Sequence, residues 1–311
     1  MGRRLIGTKD MSREDWLELR RHSIGGSDCG AIMGMNDWRS PLEVYADKLG
    51  LIPEKETNES MRLGTDLEEY VAQRFMEATG KKVRRANFMY MHDKYDFITA
   101  NVDREVVGEN AGLECKTMSP FSKYDVENGE IPAQYYCQCQ HYMEVMGYDH
   151  MYIAFLVYGK GFYWHKVERN QDFILQMIAL ELEFWHEFVE TQTPPDPDGS
   201  ESSMNTLTKM YPKDNGTEVW IDNDHEILRY QELTQTIKQL EKQKDELKAA
   251  ICSELGNSST GSSDRFVVSW KTQSRTGVDN KLLQAKYPDI YDECKTVTES
   301  RVMRVKERKE K

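Results

Sequence analysis

Hydrophobic positions recur along the chain in two distinct patterns. Spacing of three to four residues predicts helices, and short alternating or continuous apolar runs predict strands. The predicted helices cover 13–22, a segment starting at Ser40-Pro41, 61–78, 133–146, 172–191 and 224–255. The predicted strands cover 83–91, 97–107, 112–117, 150–158, 161–167 and 265–272. A Gly-Lys-Gly turn joins the strands at 150–158 and 161–167 as a hairpin, and the whole pattern indicates an α/β fold.

The chain divides near a segment rich in residues that interrupt regular structure. Residues 193–203 read TPPDPDGSESS, and the composition changes beyond them. We therefore predict a compact domain over 1–192, a linker over 193–216 and a C-terminal extension over 217–311. The extension contains a long helix in which Leu233, Leu240 and Leu247 fall seven residues apart. That stripe either packs on its own domain or forms a short coiled coil with another copy.

Composition narrows the class of protein. Among 311 residues, 41 Lys and Arg oppose 53 Asp and Glu, a net charge of −12. An acidic balance argues against a passive nucleic-acid coat, but a nuclease needs clustered carboxylates and only local basic groups. No run approaches the roughly 18 apolar residues of a membrane span, and no secretory signal is recognisable. We expect a cytoplasmic protein.

Six cysteines are expected to be reduced in such a compartment. Cys137 and Cys139 are separated by one residue, and along an extended segment they would share one side. Zinc ligands usually have two to four residues between them, so this pair is a weak candidate for a metal site.

The chemistry is concentrated at Asp103 and at the segment Glu114-Cys115-Lys116. Side chains alternate along a strand, so Glu114 and Lys116 point the same way. A hairpin between the two strands would set Asp103 beside Glu114. Two carboxylates flanked by an ammonium suit a hard divalent cation and an attacking water. Surface ion pairs are the alternative interpretation, but Leu113 and Cys115 give this strand one apolar and one charged face.

This pattern resembles the active-site signature of the PD-(D/E)xK nuclease fold. Flanking motifs narrow the resemblance to the lambda-exonuclease-like YqaJ-type viral recombinase family. They are Trp16-x-x-x-Arg20 followed by Ser27, Gly64-x-x-x-Glu68 and Tyr135-x-x-Gln138-x-Gln140, all in the family's order. The resemblance implies a restriction-endonuclease-like core, with a central mixed sheet flanked by helices. The helical or coiled-coil extension at the C-terminus departs from lambda exonuclease, so its role cannot be carried over.

The resemblance also implies roles for individual residues. Metal ligands would be Asp103, Glu114, the backbone carbonyl of Cys115 and Glu68, with Mg²⁺ as cofactor and Mn²⁺ able to substitute. Lys116 would orient or activate the attacking water, and Gln138 would lie near the metal and the scissile phosphate. The 5′-phosphate of a DNA end would contact Arg20, Ser27 and Asn101, while Tyr135 and Gln140 would contact DNA elsewhere. Asn101 is a departure, since lambda exonuclease has a serine at that position.

The function implied is a 5′→3′ exonuclease that uses a two-metal mechanism on linear double-stranded DNA and leaves 3′ overhangs for phage-type recombination. The implied partners are DNA ends, a single-strand annealing protein of the RecT or Bet type, and further copies of the chain in a trimer, with no membrane. An endonuclease of the same fold is the main alternative. A non-catalytic docking module would have no reason to keep the carboxylates and lysine, and an iron–sulfur nuclease would need four gathered cysteines.

Two basic segments leave alternatives open. Residues 81–85 read KKVRR, which is either a solvated turn or a contact to the duplex backbone. Residues 301–311 carry six basic and two acidic residues, either as a solvated tail or as a second phosphate contact.

Overall fold

The computed structural model describes residues 2–308. It divides the chain into two compact units, one extending to Tyr211 and the other beginning at Pro212. None of the helices within residues 2–308 has the length and apolar character that crossing a bilayer requires.

The first unit mixes strands and helices along its whole length. Its strands within the described residues are β1 (Arg3–Gly7), β2 (Ile24–Gly25), β3 (Val83–Arg85), β4 (Phe88–Met91), β5 (Ile98–Ala100), β6 (Arg104–Val106), β7 (Ala111–Met118), β8 (His150–Val157) and β9 (Gly161–Glu168). Its α-helices there are α1 (Arg13–Arg21), α2 (Gly26–Ile32), α3 (Pro41–Lys48), α4 (Glu59–Thr79), α5 (Ala133–Met146), α6 (Gln171–Glu183) and α7 (Glu201–Met210). A 3₁₀ turn covers Val126–Asn128, and a π-helical segment at Phe184–Val189 continues α6.

The strands form two sheets. The larger sheet has the order β3-β6-β7-β8-β9, in which only β7 and β8 run parallel. The smaller has the order β1-β4-β5-β2. The larger sheet is therefore the mixed sheet that the family resemblance implies, and β7 is its central strand.

Helices cover both faces of the larger sheet. On one face, Val71 and Phe75 of α4 pack against Leu113 of β7 and Ala154 of β8. The main core lies on the other side, where α2, α5 and α6 enclose residues such as Met143. Alternation along β7 places Leu113 toward α4 and Glu114 toward α5, so the charged side chains of this strand meet α5.

Local sequence accounts for the helix ends. The side chain of Ser40 accepts a hydrogen bond from the Glu43 amide at the start of α3, and Pro41 occupies the first turn. Gly80 and Gly147 end α4 and α5 in the left-handed conformation, which glycine adopts without a steric penalty. These ends agree with the helices predicted from the sequence.

The predicted strand over 97–107 is two strands. β5 belongs to the smaller sheet and β6 to the larger, so the chain passes between sheets at residues 101–103. The strand predicted over 83–91 is likewise divided into β3 and β4. Residues 23–28, where no helix or strand is predicted, contain β2 and the start of α2. Hydrophobic pattern alone does not reveal a change of sheet partner.

The segment predicted to be a linker contains a helix that packs on the first unit. The Ser202 hydroxyl of α7 donates to the carboxylate of Glu43 in α3 at 2.5 Å. It also lies 3.2 Å from the hydroxyl of Ser40, the N-cap of α3. Ser203 and Thr206 are buried. The first unit therefore continues to Tyr211, about one helix beyond the boundary predicted at residue 192.

The second unit consists of α8 (Asp224–Leu255), β10 (Thr260–Ser262), β11 (Val267–Ser269), α9 (Asn280–Lys286) and α10 (Pro288–Cys294). β10 and β11 pair as an antiparallel hairpin. Leu233, Leu240 and Leu247 of α8 are exposed. Self-association through this stripe stays a prediction. Of the basic tail, residues 301–308 lie outside helices and strands, and residues 309–311 lie outside the described part of the chain.

Replacement of Phe75 tests the packing of α4 on the sheet. Its ring is fully buried, with centroids 5.2 Å from Tyr152 and 5.8 Å from Trp164. We expect Phe75→Ala to lower the free energy of unfolding by about 3–5 kcal/mol, because it leaves a cavity. Leu175→Ala, on the exposed side of α6, should change it by less than about 0.5 kcal/mol. Urea denaturation measures both, and equal effects would contradict this account of the packing.

Candidate active site

The pairing of β6 with β7 brings the two predicted carboxylates together. Arg104 lies opposite Leu113, so the residues that precede β6 return alongside the middle of β7. The Cys115 amide donates a hydrogen bond to Asp103 Oδ2 at 2.8 Å. Asp103 is thereby fixed next to the residue that follows Glu114, as the hairpin interpretation predicted.

Glu114 is almost fully buried, and only one of its two carboxylate oxygens has hydrogen-bond partners within the described residues. Its Oε1 accepts from Lys116 Nζ at 2.6 Å and from Gln138 Nε2 at 2.7 Å. Its Oε2 is buried and has no hydrogen-bond partner within the described residues. A buried carboxylate oxygen without a partner costs free energy unless a cation or water occupies its open side.

The charges at this point influence one another strongly. Burial raises the pKa of Asp103, and the nearby Glu114 carboxylate raises it further, while Lys116 opposes both effects. Burial lowers the pKa of Lys116, but Glu114 and Asp103 outweigh burial and raise it overall. Two acidic side chains share a space that contains one ammonium group.

These features suit a divalent cation with oxygen ligands. Asp103 and Glu114 offer carboxylates, the bare Glu114 Oε2 offers a free acceptor, and the Cys115 carbonyl belongs to the residue between Glu114 and Lys116. Mg²⁺ takes one or two carboxylates and retains waters or substrate oxygens for the rest of its octahedron. The residues present therefore fit the metal implied by the sequence.

Glu68 of α4 lies near this pair, but Arg104 holds it. Arg104 Nη1 forms an ion pair with Glu68 Oε1 and also donates to the Asp103 carbonyl at 2.9 Å. Its Nη2 lies 3.1 Å from Glu69 Oε2. The charge of Glu68 contributes to the raised pKa of Asp103, so the two carboxylates belong to one electrostatic cluster. Sequence reasoning missed Arg104, whose one signal was its position directly after Asp103.

Helix α5 supplies the other wall of the site. Gln138 also donates to the Tyr142 hydroxyl at 3.0 Å, which orients its amide toward Glu114. The Lys116 ammonium lies 4.9 Å from the centre of the Tyr135 ring, a cation–π distance. Tyr135, Gln138 and Tyr142 therefore line the same face of α5.

The structure corrects the prediction that Gln140 contacts DNA. Gln140 is fully buried, its Nε2 donates to the Glu168 carbonyl at 2.8 Å, and its Oε1 accepts from the Asn170 amide at 2.9 Å. Two residues along a helix rotate the side chain by about 200°, so Gln138 and Gln140 point in opposite directions. Gln140 joins α5 to the connection between β9 and α6.

A second polar cluster contains the residues predicted to bind a 5′-phosphate. Arg20 Nη2 donates to the exposed Ser27 hydroxyl at 2.6 Å, and its guanidinium lies 4.7 Å from the Trp16 ring centre. Both Arg20 and Ser27 line an open cavity of ≈ 870 Å³. A planar guanidinium and a serine hydroxyl can both donate to phosphate oxygens.

A buried carboxylate that sequence reasoning missed fixes this cluster. Asp28 is fully buried and pairs with Lys48 at 2.7 Å, with Arg39, and with Arg20 at 3.5 Å. Burial raises the pKa of Asp28, but these three cations outweigh it and hold the pKa well below its ordinary value. Burial lowers the pKa of Lys48 to about 8. The Gly-Gly-Ser-Asp segment at 25–28 was the available signal in the sequence, and only Ser27 within it was predicted to have a role.

Asn101 lies at the same edge of the smaller sheet. β2 and β5 run parallel, with Gly25 opposite Thr99, so Ser27 and Asn101 each follow the paired residues by two positions. No hydrogen bond within the described residues joins Asn101 to Arg20 or Ser27. Its contact with a phosphate stays a prediction.

The basic segment at 81–85 is largely neutralised by acidic neighbours. Lys81 pairs with Glu109, Arg84 with Glu105 at 2.7 Å, and Arg85 with Glu69 at 2.8 Å. These ion pairs favour the interpretation as a solvated structural segment over that as a contact to the duplex backbone.

The mixed sheet, the helices on both faces, and the carboxylate–lysine cluster on its central strand define a PD-(D/E)xK nuclease fold. The model of the YqaJ-like viral recombinase domain matches residues 15–149. The uncharacterized protein YqaJ of Bacillus subtilis (strain 168) is 37% identical over 309 residues, covering 97% of each chain. This chain belongs to the YqaJ-like viral recombinase family.

Two solved structures match part of the chain. The alkaline exonuclease LHK-Exo from Laribacter hongkongensis, in complex with dAMP, is 19% identical and covers 58% of this chain and 94% of its own, with a TM-score of 0.49. A phage related exonuclease from Haemophilus somnus 129PT is 15% identical and covers 55% of this chain and 96% of its own, with a TM-score of 0.42.

The Asp28 network predicts a dependence of stability on pH. A carboxylate whose pKa is lowered by folding stabilises the protein above its unfolded-state pKa of about 4 and loses that contribution as pH falls further. At pH 7 we expect Asp28→Asn to lower the free energy of unfolding by about 3–5 kcal/mol, because Lys48 and Arg39 lose their buried counter-charge. The difference from wild type should shrink as the pH falls below about 4.

Asp47→Asn is the matched control. Asp47 binds the same Arg39 at 2.8 Å but is half exposed, so its loss should cost less than about 1 kcal/mol. Chemical denaturation across acid and neutral pH compares the variants. A cost for Asp28→Asn that stays constant with pH would contradict the electrostatic explanation.

Proposed function

We propose that this protein is a Mg²⁺-dependent exonuclease that degrades one strand of linear double-stranded DNA from a 5′ end and leaves a 3′ single-stranded overhang. The observation that carries the proposal is the convergence of Asp103, Glu114, Lys116 and Gln138 at one buried point. Membership of a viral recombinase family supports a role for the overhang in recombination by single-strand annealing.

Asp103 and Glu114 would hold the metal, with the Cys115 carbonyl and Glu68 as further ligands. Divalent cations bound there supply a water of lowered pKa and stabilise negative charge on the attacking and leaving oxygens. Arg104 holds Glu68 beside this cluster and also donates to the Asp103 carbonyl. These contacts fix the position of α4 relative to β6.

Lys116 and Gln138 would position the reacting groups. Lys116 Nζ is held between Glu114 Oε1 and the Tyr135 ring, so its remaining N–H groups have a defined direction. There it would orient the attacking water against the scissile phosphate. Gln138 fixes the Glu114 carboxylate through a 2.7 Å hydrogen bond and leaves Oε2 free as a ligand. Tyr135 would lie beside the DNA backbone.

Recognition of an end distinguishes an exonuclease from an endonuclease. Arg20, Ser27 and Asn101 would bind a terminal 5′-phosphate, and a pocket of this kind has no use in cleavage within a duplex. Arg20 is held ready by Ser27, Asp28 and the Trp16 ring, so little side-chain freedom would be lost when phosphate binds.

The proposed partners follow from the family resemblance. A ring-shaped trimer around DNA would make degradation processive, and an annealing protein would receive the exposed strand. The C-terminal unit, which includes the exposed stripe of α8, offers one surface for such contacts.

Digestion of linear duplex DNA tests the proposal. We expect Mg²⁺ or Mn²⁺ to support loss of the linear substrate, EDTA to stop it, 5′-phosphorylated ends to be degraded faster than 5′-hydroxyl ends, and closed circular DNA to survive. Labels at the 5′ and 3′ ends would show which strand is lost first. Cleavage of the closed circle would indicate an endonuclease, and inactivity with every metal would overturn the proposal.

Substitutions at the cluster separate catalysis from binding. Glu114→Gln and Lys116→Ala should each lower the rate of cleavage by about 10²–10³-fold or more, because transition-state stabilisation is lost. Duplex binding, measured by fluorescence anisotropy in Ca²⁺, should persist. Lys166→Ala, which removes an exposed lysine of β9, is the control and should cleave at the wild-type rate. Wild-type cleavage by Glu114→Gln would be incompatible with the assigned role.

Arg20→Ala tests the end pocket. Charge-assisted hydrogen bonds contribute about 1.5–3 kcal/mol, so the preference for 5′-phosphate over 5′-hydroxyl ends should fall by about 10–100-fold. Arg21→Ala removes a neighbouring arginine that pairs with Glu18 at 3.1 Å, and it should retain the preference. If both variants discriminate between the ends as wild type does, Arg20 does not bind the phosphate.

A further inference from the structure

Three buried side chains from three helices form a second cluster with the chemistry of a metal site. They are Cys29 of α2, His141 of α5 and Glu181 of α6, and their ligand atoms all lie within 4.8 Å of one another. Each side chain is fully buried. Neither the proposed cleavage nor the recognition of DNA ends uses any of them.

The imidazole of His141 is oriented as a metal ligand commonly is. Its Nε2 lies 2.8 Å from the Thr99 carbonyl oxygen, which can only accept, so Nε2 carries a proton. Its Nδ1 points at Glu181 Oε1, 2.7 Å away. A histidine that binds metal through one nitrogen usually donates the other N–H to a carbonyl or carboxylate, which fixes the ring.

Glu181 brings a buried acceptor that the protein does not satisfy. Its Oε1 faces His141, while Oε2 is buried and has no hydrogen-bond partner within the described residues. Leaving such an atom without a partner costs free energy, and more when the group is charged. The His141–Glu181 ion pair alone therefore leaves the cluster incomplete.

Cys137 lies on the same side of α5 as His141 but is not one of the three residues whose ligand atoms lie within 4.8 Å of one another. It precedes His141 by one turn of the helix. Its thiol donates to Met35 Sδ at 3.6 Å. Cys139, by contrast, is rotated by about 200° from Cys137, because the segment is helical rather than extended.

We propose that Cys29, His141 and Glu181 bind one Zn²⁺ or a similar borderline-soft divalent cation. One sulfur, one nitrogen and one oxygen make a donor set that Zn²⁺ accepts and Mg²⁺ does not, and a water would complete the tetrahedron. Zinc–ligand bonds of about 2.0–2.3 Å place tetrahedral ligand atoms roughly 3–4 Å apart. Reaching that spacing requires side-chain shifts of about an ångström from the present distances.

Binding exchanges protons for the metal. The proton of the Cys29 thiol and any proton on Nδ1 leave to solvent, while Nε2 keeps its proton and its bond to Thr99. Three ligands from three helices would give the site a structural role. The bound metal would connect α2, which carries Ser27, to α5, which carries Gln138. It would thereby fix the position of the proposed phosphate pocket relative to the proposed active site.

The metal content of the purified full-length protein tests the proposal. The parent for this comparison is the Glu114→Gln protein, and every further variant is made in it. The carboxylates of the proposed active site then contribute less to the metal that is measured. We expect one Zn²⁺ per chain after dialysis, in the parent and in Cys139→Ser, which alters an equally buried thiol on another face of α5. Cys29→Ser should lose it.

Cobalt substitution identifies the ligands by their spectrum. Protein produced with Co²⁺ in place of zinc should show a thiolate-to-cobalt charge-transfer band and the intense visible bands of tetrahedral cobalt. Both should survive in the combined Cys115→Ser, Cys137→Ser, Cys139→Ser, Cys252→Ser and Cys294→Ser variant, which retains only Cys29. This variant keeps the test valid if Cys29→Ser fails to fold.

The outcomes separate this proposal from the nuclease activity. A parent protein without zinc and without a charge-transfer band would overturn the metal site and leave the digestion of DNA ends unaffected. A band that disappears in the five-serine variant would assign the metal to other cysteines and overturn it equally. Zinc in the Glu114→Gln parent with the expected cobalt spectrum, together with a wild-type chain that cleaves no DNA, would support the site and not the nuclease.

Discussion

The burial of two carboxylates at one point governs the architecture of the first unit. Antiparallel pairing of β6 with β7 places Asp103 against the Cys115 amide, next to Glu114. Like charges this close, out of water, raise the free energy of the folded state unless cations oppose them. Lys116 and Arg104 oppose them in part, yet Glu114 Oε2 stays without a partner. The site therefore carries negative charge that is not fully compensated, and a divalent cation would neutralise it.

Helix α5 divides its side chains among different tasks. One face turns Tyr135, Gln138 and Tyr142 toward Glu114 and Lys116. Another turns His141 toward Glu181 of α6. The rotation of about 100° per residue separates neighbours in sequence, so the two glutamines of one motif have different neighbours. A short segment can therefore serve the proposed active site and the buried cluster together.

In the proposed phosphate pocket, the balance of charge around Asp28 is the reverse of that at Asp103 and Glu114. One buried carboxylate gathers Lys48, Arg39 and Arg20, and only Arg20 also reaches the exposed Ser27. The buried partners fix the position of the guanidinium, and the open cavity gives it access to a ligand. Pre-organisation of this kind lowers the entropy lost on binding an anion.

The sequence by itself determined most helices, the β8–β9 hairpin, and the pairing of Glu114 with Lys116 on one face, because periodicity and capping act locally. The carboxylate–lysine pattern and the ordered motifs also sufficed to identify the family. Tertiary structure alone decided that the chain changes sheets before Asp103, that Arg104 holds Glu68, that Gln140 is buried and that α7 packs on α3. Each of these depends on partners distant in sequence or on the opposite face of a helix, and no local pattern encodes which distant residue will be the neighbour.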